Sequence, residues 1–151
     1  MSSTWGGSIV LDQPPAIVWN FLTSESNDVN WRGPWLLAVR KISDGPMAVG
    51  TRYESEYAFF GRKDAVVTEL TEVVAPRRLA WKQVGRGTLA INDGSYDLEA
   101  VGSGTRFTVR GVIQSRGLSR LADAPFVRYL NRAAKRQHAQ LAAALARYEH
   151  P

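Results

Sequence analysis

Few side chains in this sequence could carry out acid–base chemistry, and their spacing limits what they can do. Glu54 and Glu56 stand two residues apart in an alternating stretch, close enough to perturb each other's ionisation. Arg52 shares their face, and the alternation points this face outward, so a solvated surface is favoured over a catalytic pair. Glu69 and Asp64 would reach the interior only if a bulge reversed the alternation of their strand.

Nucleophilic and metal-assisted chemistry find little support. The chain has no cysteine, which excludes disulfides, thiol nucleophiles and Cys-ligated metals. Its two histidines, His138 and His150, have no partner at metal-ligand spacing, so we expect no metal site. We also expect no cofactor. His138 is interpreted as a histidine at the edge of an apolar helix stripe that makes one hydrogen bond. The pattern assigns no catalytic residue.

A ligand-binding cavity is the other kind of site that the residue types allow. The chain has five Trp, five Tyr and five Phe, and many of them fall on one face of the alternating segments. Ordinary cores are also rich in aromatics, but a buried tyrosine hydroxyl needs a partner that a ligand can supply. The candidates for lining such a cavity are Tyr53, Ser55, Tyr57, Phe59, Trp81, Asn92, Tyr96, Phe107, Phe126, Leu130, Gln137 and Leu141.

Gln137 is the polar exception in an apolar stripe of the last helix. Its amide could hydrogen-bond a ligand carbonyl or hydroxyl, or it could satisfy a backbone group. Both alternatives stay open from the sequence.

These side chains need a scaffold, and the hydrophobic pattern predicts one sheet and one long helix. A short strand over residues 8–11 is followed by a helix that ends near Thr23, and a second short helix can begin at Ser24 or Ser26. Short turns, most of them containing glycine, separate the later strands, which predicts an antiparallel meander. The six later strands are predicted over 35–42, 51–60, 63–74, 78–84, 88–101 and 105–114.

The last helix is predicted to run from Phe126 to Tyr148 with an apolar stripe that covers the sheet. Residues 116–151 hold seven basic and two acidic side chains, whereas residues 1–115 are balanced, so the net charge of +5 arises in this last segment. The basic face of the helix carries Arg128, Arg132, Lys135 and Arg136.

This basic face has three interpretations. Simple solubility is favoured, and an acidic protein or an anionic membrane surface is the alternative partner. Nucleic-acid binding is not expected, because exposed aromatic side chains are not interleaved with the basic ones.

The size and composition predict one globular domain over residues 1–151. Hydrophobic residues make up 44% of the chain and charged residues 22%, which are ordinary values for a folded domain. No apolar run approaches the ~20 residues that span a bilayer. The N-terminus lacks a signal-peptide pattern. We therefore expect a cytoplasmic protein, either a monomer or a homodimer.

The order of elements and several local phrases together resemble a known superfamily. The phrases are Asp12-Gln13-Pro14-Pro15-Ala16-Ile17-Val18-Trp19-Asn20-Phe21-Leu22, Trp31, Val49-Gly50-Thr51-Arg52-Tyr53, Val67-Thr68-Glu69-Leu70, Ala75-Pro76-Arg77-Arg78-Leu79-Ala80-Trp81 and Gly102-Ser103-Gly104-Thr105-Arg106-Phe107. In this order the chain resembles the START-like superfamily, also called SRPBCC, over nearly its whole length. That superfamily includes Bet v 1-like proteins and the polyketide cyclase/dehydrase and lipid-transport proteins.

The resemblance implies an α+β helix-grip fold, in which a curved antiparallel sheet wraps around a long C-terminal helix, with short helices between the first two strands. It also implies binding or transport of a small hydrophobic ligand, such as a lipid or a polyketide, in a cavity between sheet and helix. An alternative is a polyketide cyclase/dehydrase-type enzyme that uses the same cavity. A third hypothesis is an interaction protein that uses the basic helix face. No cofactor is general to the superfamily.

Overall fold

The structure, a computed structural model, describes residues 2–32, 36–59, 61–85, 93–114 and 123–148. A single 3₁₀ turn (Glu25–Asn27) lies between the first two helices. In chain order the elements are β1 (Ser2–Leu11), α1 (Pro15–Leu22), α2 (Asp28–Trp31), β2 (Leu36–Lys41), β3 (Arg52–Phe59), β4 (Arg62–Val74), β5 (Arg78–Val84), β6 (Asp93–Val101), β7 (Gly104–Gln114) and α3 (Asp123–Arg147).

The seven described strands form one antiparallel sheet in the order β1-β7-β6-β5-β4-β3-β2. The predicted meander is confirmed for β2 to β7, and β1 joins it by pairing with β7. β1 is longer than the predicted 8–11, because its first residues pair with the long β7 from Ser2 opposite Gln114 onward. The hydrophobic pattern of residues 2–7 is too weak to predict a strand, and these residues form one because they pair with β7.

α3 lies against the sheet, and its two halves have different surroundings. It begins three residues earlier than predicted, with Pro125 in its first turn, where proline is tolerated. In its C-terminal half, Leu141 belongs to the hydrophobic core together with side chains of α1, and Tyr148, directly after the helix, meets the ring of Phe21 edge to face at 5.2 Å. Its N-terminal half has Leu130 and Ala133 facing the sheet. The helix-grip fold predicted from the sequence is confirmed.

The charged side chains follow the predicted outer faces. Arg40 on β2 pairs with Glu54 on β3 at 2.9 Å, and Arg52 pairs with Glu69 at 3.0 Å. Both glutamates are thus held on the outer face of the sheet, as the alternation indicated. The basic residues of α3 predicted to face solvent are exposed: Arg128, Arg132, Lys135 and Arg136. No helix among the described ranges is long and apolar enough to cross a membrane.

Candidate ligand-binding cavity

A cavity of about 150 Å³ lies between the concave face of the sheet, α2 and the first half of α3. A cavity of this volume can hold one benzene-sized ring. Pockets that bury drug-sized ligands are larger, roughly 300–1,000 Å³. The wall consists of Trp5, Leu22, Asp28, Trp31, Arg32, Val39, Tyr53, Ser55, Tyr57, Val66, Thr68, Leu70, Leu79, Trp81, Tyr96, Val109, Tyr129, Leu130, Ala133 and Gln137.

One ion pair stands in this mainly apolar wall. Asp28 and Arg32 lie one turn apart at the two ends of α2, and Arg32 Nη1 is 3.3 Å from Asp28 Oδ2. Arg32 Nη2 also donates a hydrogen bond to Tyr57 Oη at 2.7 Å. Only 11% of the Asp28 side chain and 24% of the Arg32 side chain are exposed. A guanidinium is therefore held at the cavity wall by partners from α2 and β3.

Burial makes the charge of this pair depend on pH. It raises the pKa of Asp28 from 3.8 to about 6, although Arg32 and a hydrogen bond donated by Trp31 act to lower it. Burial opposes the charge of Arg32 as well, but Tyr57, Tyr96 and Asp28 favour it, and the pKa of Arg32 rises above its ordinary value. The cavity therefore keeps one cation whose counter-ion titrates just below neutral pH.

Two tyrosines on the wall stay neutral. Burial raises the pKa of Tyr96, and burial together with Glu25 and Asp28 raises that of Tyr53. The ring of Tyr96 meets that of Trp81 edge to face at 4.8 Å. Near neutral pH these hydroxyls can donate or accept hydrogen bonds, but they cannot act as bases.

The structure places seven of the twelve sequence candidates on the cavity wall. They are Tyr53, Ser55, Tyr57, Trp81, Tyr96, Leu130 and Gln137. Their role in ligand binding stays a prediction. The side chain of Phe59 and the whole of Asn92 lie outside the residues that the structure describes.

Phe107, Leu141 and Phe126 were also predicted on the wall, and the structure places none of the three among the residues that line this cavity. Phe107 has the expected inward face, but Trp31 and His138 cover its ring, so it is fully buried in the core. Leu141, in the C-terminal half of α3, is fully buried in the hydrophobic core. Phe126, in the first turn of α3, is half-buried and its ring stacks on Tyr129 at 6.3 Å.

Gln137 and His138, next to each other on α3, have different surroundings. The amide of Gln137 donates to the backbone oxygen of Arg32 at 3.2 Å, so it satisfies a backbone group, and its contact with a ligand stays a prediction. His138 is buried, and its Nε2 finds no hydrogen-bond partner among the described residues. The expected single hydrogen bond stays a prediction for its other ring nitrogen. Burial lowers the pKa of His138, which keeps the imidazole neutral in the core.

Sequence reasoning missed Asp28 and Arg32, the charged pair of the wall. A signal was available in the opposite charges four residues apart on either side of a tryptophan. Such pairs are common on exposed helices, so the spacing alone does not indicate a cavity. Within the described ranges, no three His, Asp or Glu side chains come together in a way that could hold a metal ion.

A curled antiparallel sheet closed by a C-terminal helix over an internal cavity defines the helix-grip class of proteins. The family described as polyketide cyclase/dehydrase and lipid transport matches residues 6–146 of the chain. The chain therefore belongs to that family, and the resemblance noted from the sequence is confirmed. No curated protein matches it in sequence.

Several solved structures share this fold at low sequence identity. TTHA0849 from Thermus thermophilus has a TM-score of 0.76 at 12% identity, over 96% of this chain and 98% of its own. Ara h 8.0201 has a TM-score of 0.71 at 16% identity, over 97% of this chain and 99% of its own. The Zhui aromatase/cyclase from Streptomyces sp. R1128 has a TM-score of 0.71 at 12% identity, over 96% of this chain and 92% of its own. At these identities the similarity shows the fold alone.

Proposed function

We propose that the protein binds or transports a small hydrophobic molecule whose carboxylate or carbonyl oxygen is held by Arg32. The observation that supports this most is the guanidinium at the wall of an otherwise apolar cavity. The family and the fold support a hydrophobic ligand, and this residue adds an oxygen acceptor to the description of that ligand.

The hydrogen-bonding capacity of arginine supports an oxygen acceptor. A guanidinium has five N–H donors, and its contacts with Asp28 and Tyr57 use two of them. A charged group in a water-poor site gains more from a partner than it would in water. A carboxylate or carbonyl beside Arg32 would therefore bind through charge-assisted hydrogen bonds, while the apolar wall takes the rest of the molecule.

Arg32→Met is expected to weaken benzoate binding by roughly 10- to 100-fold, the cost of losing a hydrogen bond to a charged group. The change keeps much of the side-chain volume, so the cavity should stay closed. Benzoate can be titrated while tryptophan fluorescence is followed, since Trp5, Trp31 and Trp81 lie on the wall.

Arg40→Met is the matched control, because Arg40 forms its ion pair on the outer face and is largely exposed. Its affinity for benzoate should equal that of the unchanged protein. Equal affinity of Arg32→Met and the unchanged protein would show that the guanidinium does not hold the ligand.

An enzyme of the cyclase/dehydrase type is a second candidate, which the pKa of Asp28 favours. A carboxyl with a pKa of about 6 can take and return a proton near neutral pH. In such a reaction Asp28 would remove a proton from the carbon beside a carbonyl, and Arg32 would stabilise the resulting enolate oxygen. The neighbouring hydroxyl would then leave with the returned proton as water.

Incubation with a β-hydroxy ketone, 4-hydroxy-4-phenylbutan-2-one, tests this second candidate. An enzyme would convert it to the unsaturated ketone with loss of water, which mass spectrometry detects. Asp28→Asn should abolish this conversion, and Asp44→Asn, at an exposed position, should preserve it. Conversion that Asp28→Asn leaves unchanged would remove Asp28 from the reaction.

A further inference from the structure

Two tryptophans and two glycines form one row across four strands of the sheet. Trp5 on β1 pairs with Gly111 on β7, Gly111 pairs with Gly94 on β6, and Gly94 pairs with Trp81 on β5. Directly paired residues of an antiparallel sheet share a face. Both tryptophans line the cavity, so the whole row lies on the concave face.

Each indole leans over the neighbouring glycine. A Cβ added to Gly111 would stand 2.2 Å from Cε2 of Trp5, and one added to Gly94 would stand 2.3 Å from Cζ2 of Trp81. No side chain larger than hydrogen therefore fits at either glycine unless the indole moves. Because the glycines are central in the row, the two indoles approach each other from opposite sides and cover the sheet between them.

The space that the two indoles occupy lies on the concave face of the sheet. A second, more open groove of about 820 Å³ also touches Trp5 and Trp81, but most of its lining, including Lys82, Ser95 and Arg110, belongs to the outer face. The sheet therefore separates this groove from the cavity. The room that shorter side chains would add to the cavity lies on the concave face, over the two glycines.

The indoles are placed here by packing. Nε1 of Trp5 is buried and has no hydrogen-bond partner among the described residues. Trp81 packs edge to face on Tyr96 at 4.8 Å. The extent of the cavity at this point therefore depends on the volume of these side chains.

We propose that Trp5 and Trp81 are specificity-determining residues, which end the cavity after a single ring and so select a one-ring carboxylate over larger fused-ring carboxylates. This inference rests on the proposed function, in which Arg32 holds the oxygen end of the ligand. The cavity of about 150 Å³ fits one ring, and the indoles fill the concave face over Gly94 and Gly111, where shorter side chains would leave room for a second ring.

The test measures the affinities of benzoate, 2-naphthoate and anthracene-2-carboxylate by isothermal titration calorimetry. The unchanged protein should bind benzoate at least about tenfold more tightly than 2-naphthoate, since misfit in an apolar pocket has an effect of this order. Trp81→Leu and Trp5→Leu should each lower the ratio of the benzoate affinity to the 2-naphthoate affinity by about tenfold. Trp19→Leu, which shortens a buried tryptophan outside the cavity wall, should leave it unchanged.

The glycines provide an opposite test. Gly94→Ala should weaken benzoate binding by about tenfold, because the added methyl group pushes the Trp81 indole into the cavity. Adding Trp81→Leu to Gly94→Ala should restore most of the affinity, since the shorter side chain leaves room for the methyl group. Circular dichroism identifies the folded variants, and if Gly94→Ala does not fold, the two tryptophan variants decide the question.

Two results would overturn the inference in distinguishable ways. If none of the three carboxylates binds the unchanged protein, the proposed function fails and this inference fails with it. If Arg32→Met weakens all three but the folded tryptophan variants keep the order of the unchanged protein, only the specificity role is wrong.

Discussion

Phe107→Ala is expected to lower the free energy of unfolding by about 3–5 kcal/mol, the usual cost of truncating a buried phenylalanine. Phe107 is fully buried on β7, and its ring centroid lies 5.2 Å from that of Tyr96 and 6.1 Å from that of Trp31. Both neighbours line the cavity, so the void would also loosen the wall. Urea unfolding followed by circular dichroism measures the change.

Two matched variants separate the void from other effects. Phe107→Leu leaves a smaller void and should lower the free energy of unfolding clearly less than Phe107→Ala does. Val10→Ala truncates an exposed side chain of β1 and should change stability by no more than about 0.5 kcal/mol. A loss in Phe107→Ala no larger than that in Val10→Ala would mean that Phe107 does not support the core.

Asp28→Asn is expected to flatten the dependence of stability on pH between about 4 and 6. Burial raises the pKa of Asp28 from 3.8 to about 6, so in this window the folded protein holds the proton more tightly than the unfolded chain does. By linkage, Asp28 lowers the stability as the pH rises through the window, by about 3 kcal/mol in total above pH 6. The variant has no proton to lose and lacks this decline.

The measured quantity is the difference in unfolding free energy between Asp28→Asn and the unchanged protein at several pH values. This difference removes the contributions of titrating groups that both proteins share. One of these groups is His138, whose lowered pKa makes the fold less stable as the pH falls below 6.5. The variant also loses the counter-ion of Arg32. This loss shifts its unfolding free energy at every pH but does not change how that free energy varies with pH. Asp44→Asn, exposed to solvent, is the control. A constant difference from pH 4 to 7 would contradict the raised pKa.

The two halves of α3 show where sequence patterns reach their limit for the candidate site. The apolar stripe placed both Leu130 and Leu141 towards the sheet, and both are buried. Only Leu130 lines the cavity, whereas Leu141 belongs to the core cluster that also contains side chains of α1. Periodicity within one helix cannot show what lies opposite each of its turns.

The charged pair on α2 shows a second limit. A helix of four residues has too little periodicity to indicate a buried face. Asp28 and Arg32 reach the cavity because α2 packs between β2 and α3, elements that are distant in the sequence. The same pair on an exposed helix would be an ordinary surface contact.

The sequence by itself determined the long helix, the antiparallel meander of β2 to β7 and the inward face of Tyr53, Tyr57 and Tyr96. These features follow from local periodicity and short turns, which act between residues close together in the chain. Only the tertiary structure decided the volume of the cavity, the burial of Asp28 and Arg32, and the row in which Trp5 and Trp81 cover two glycines. These depend on side-chain volumes and on desolvation among segments that are brought together only by folding.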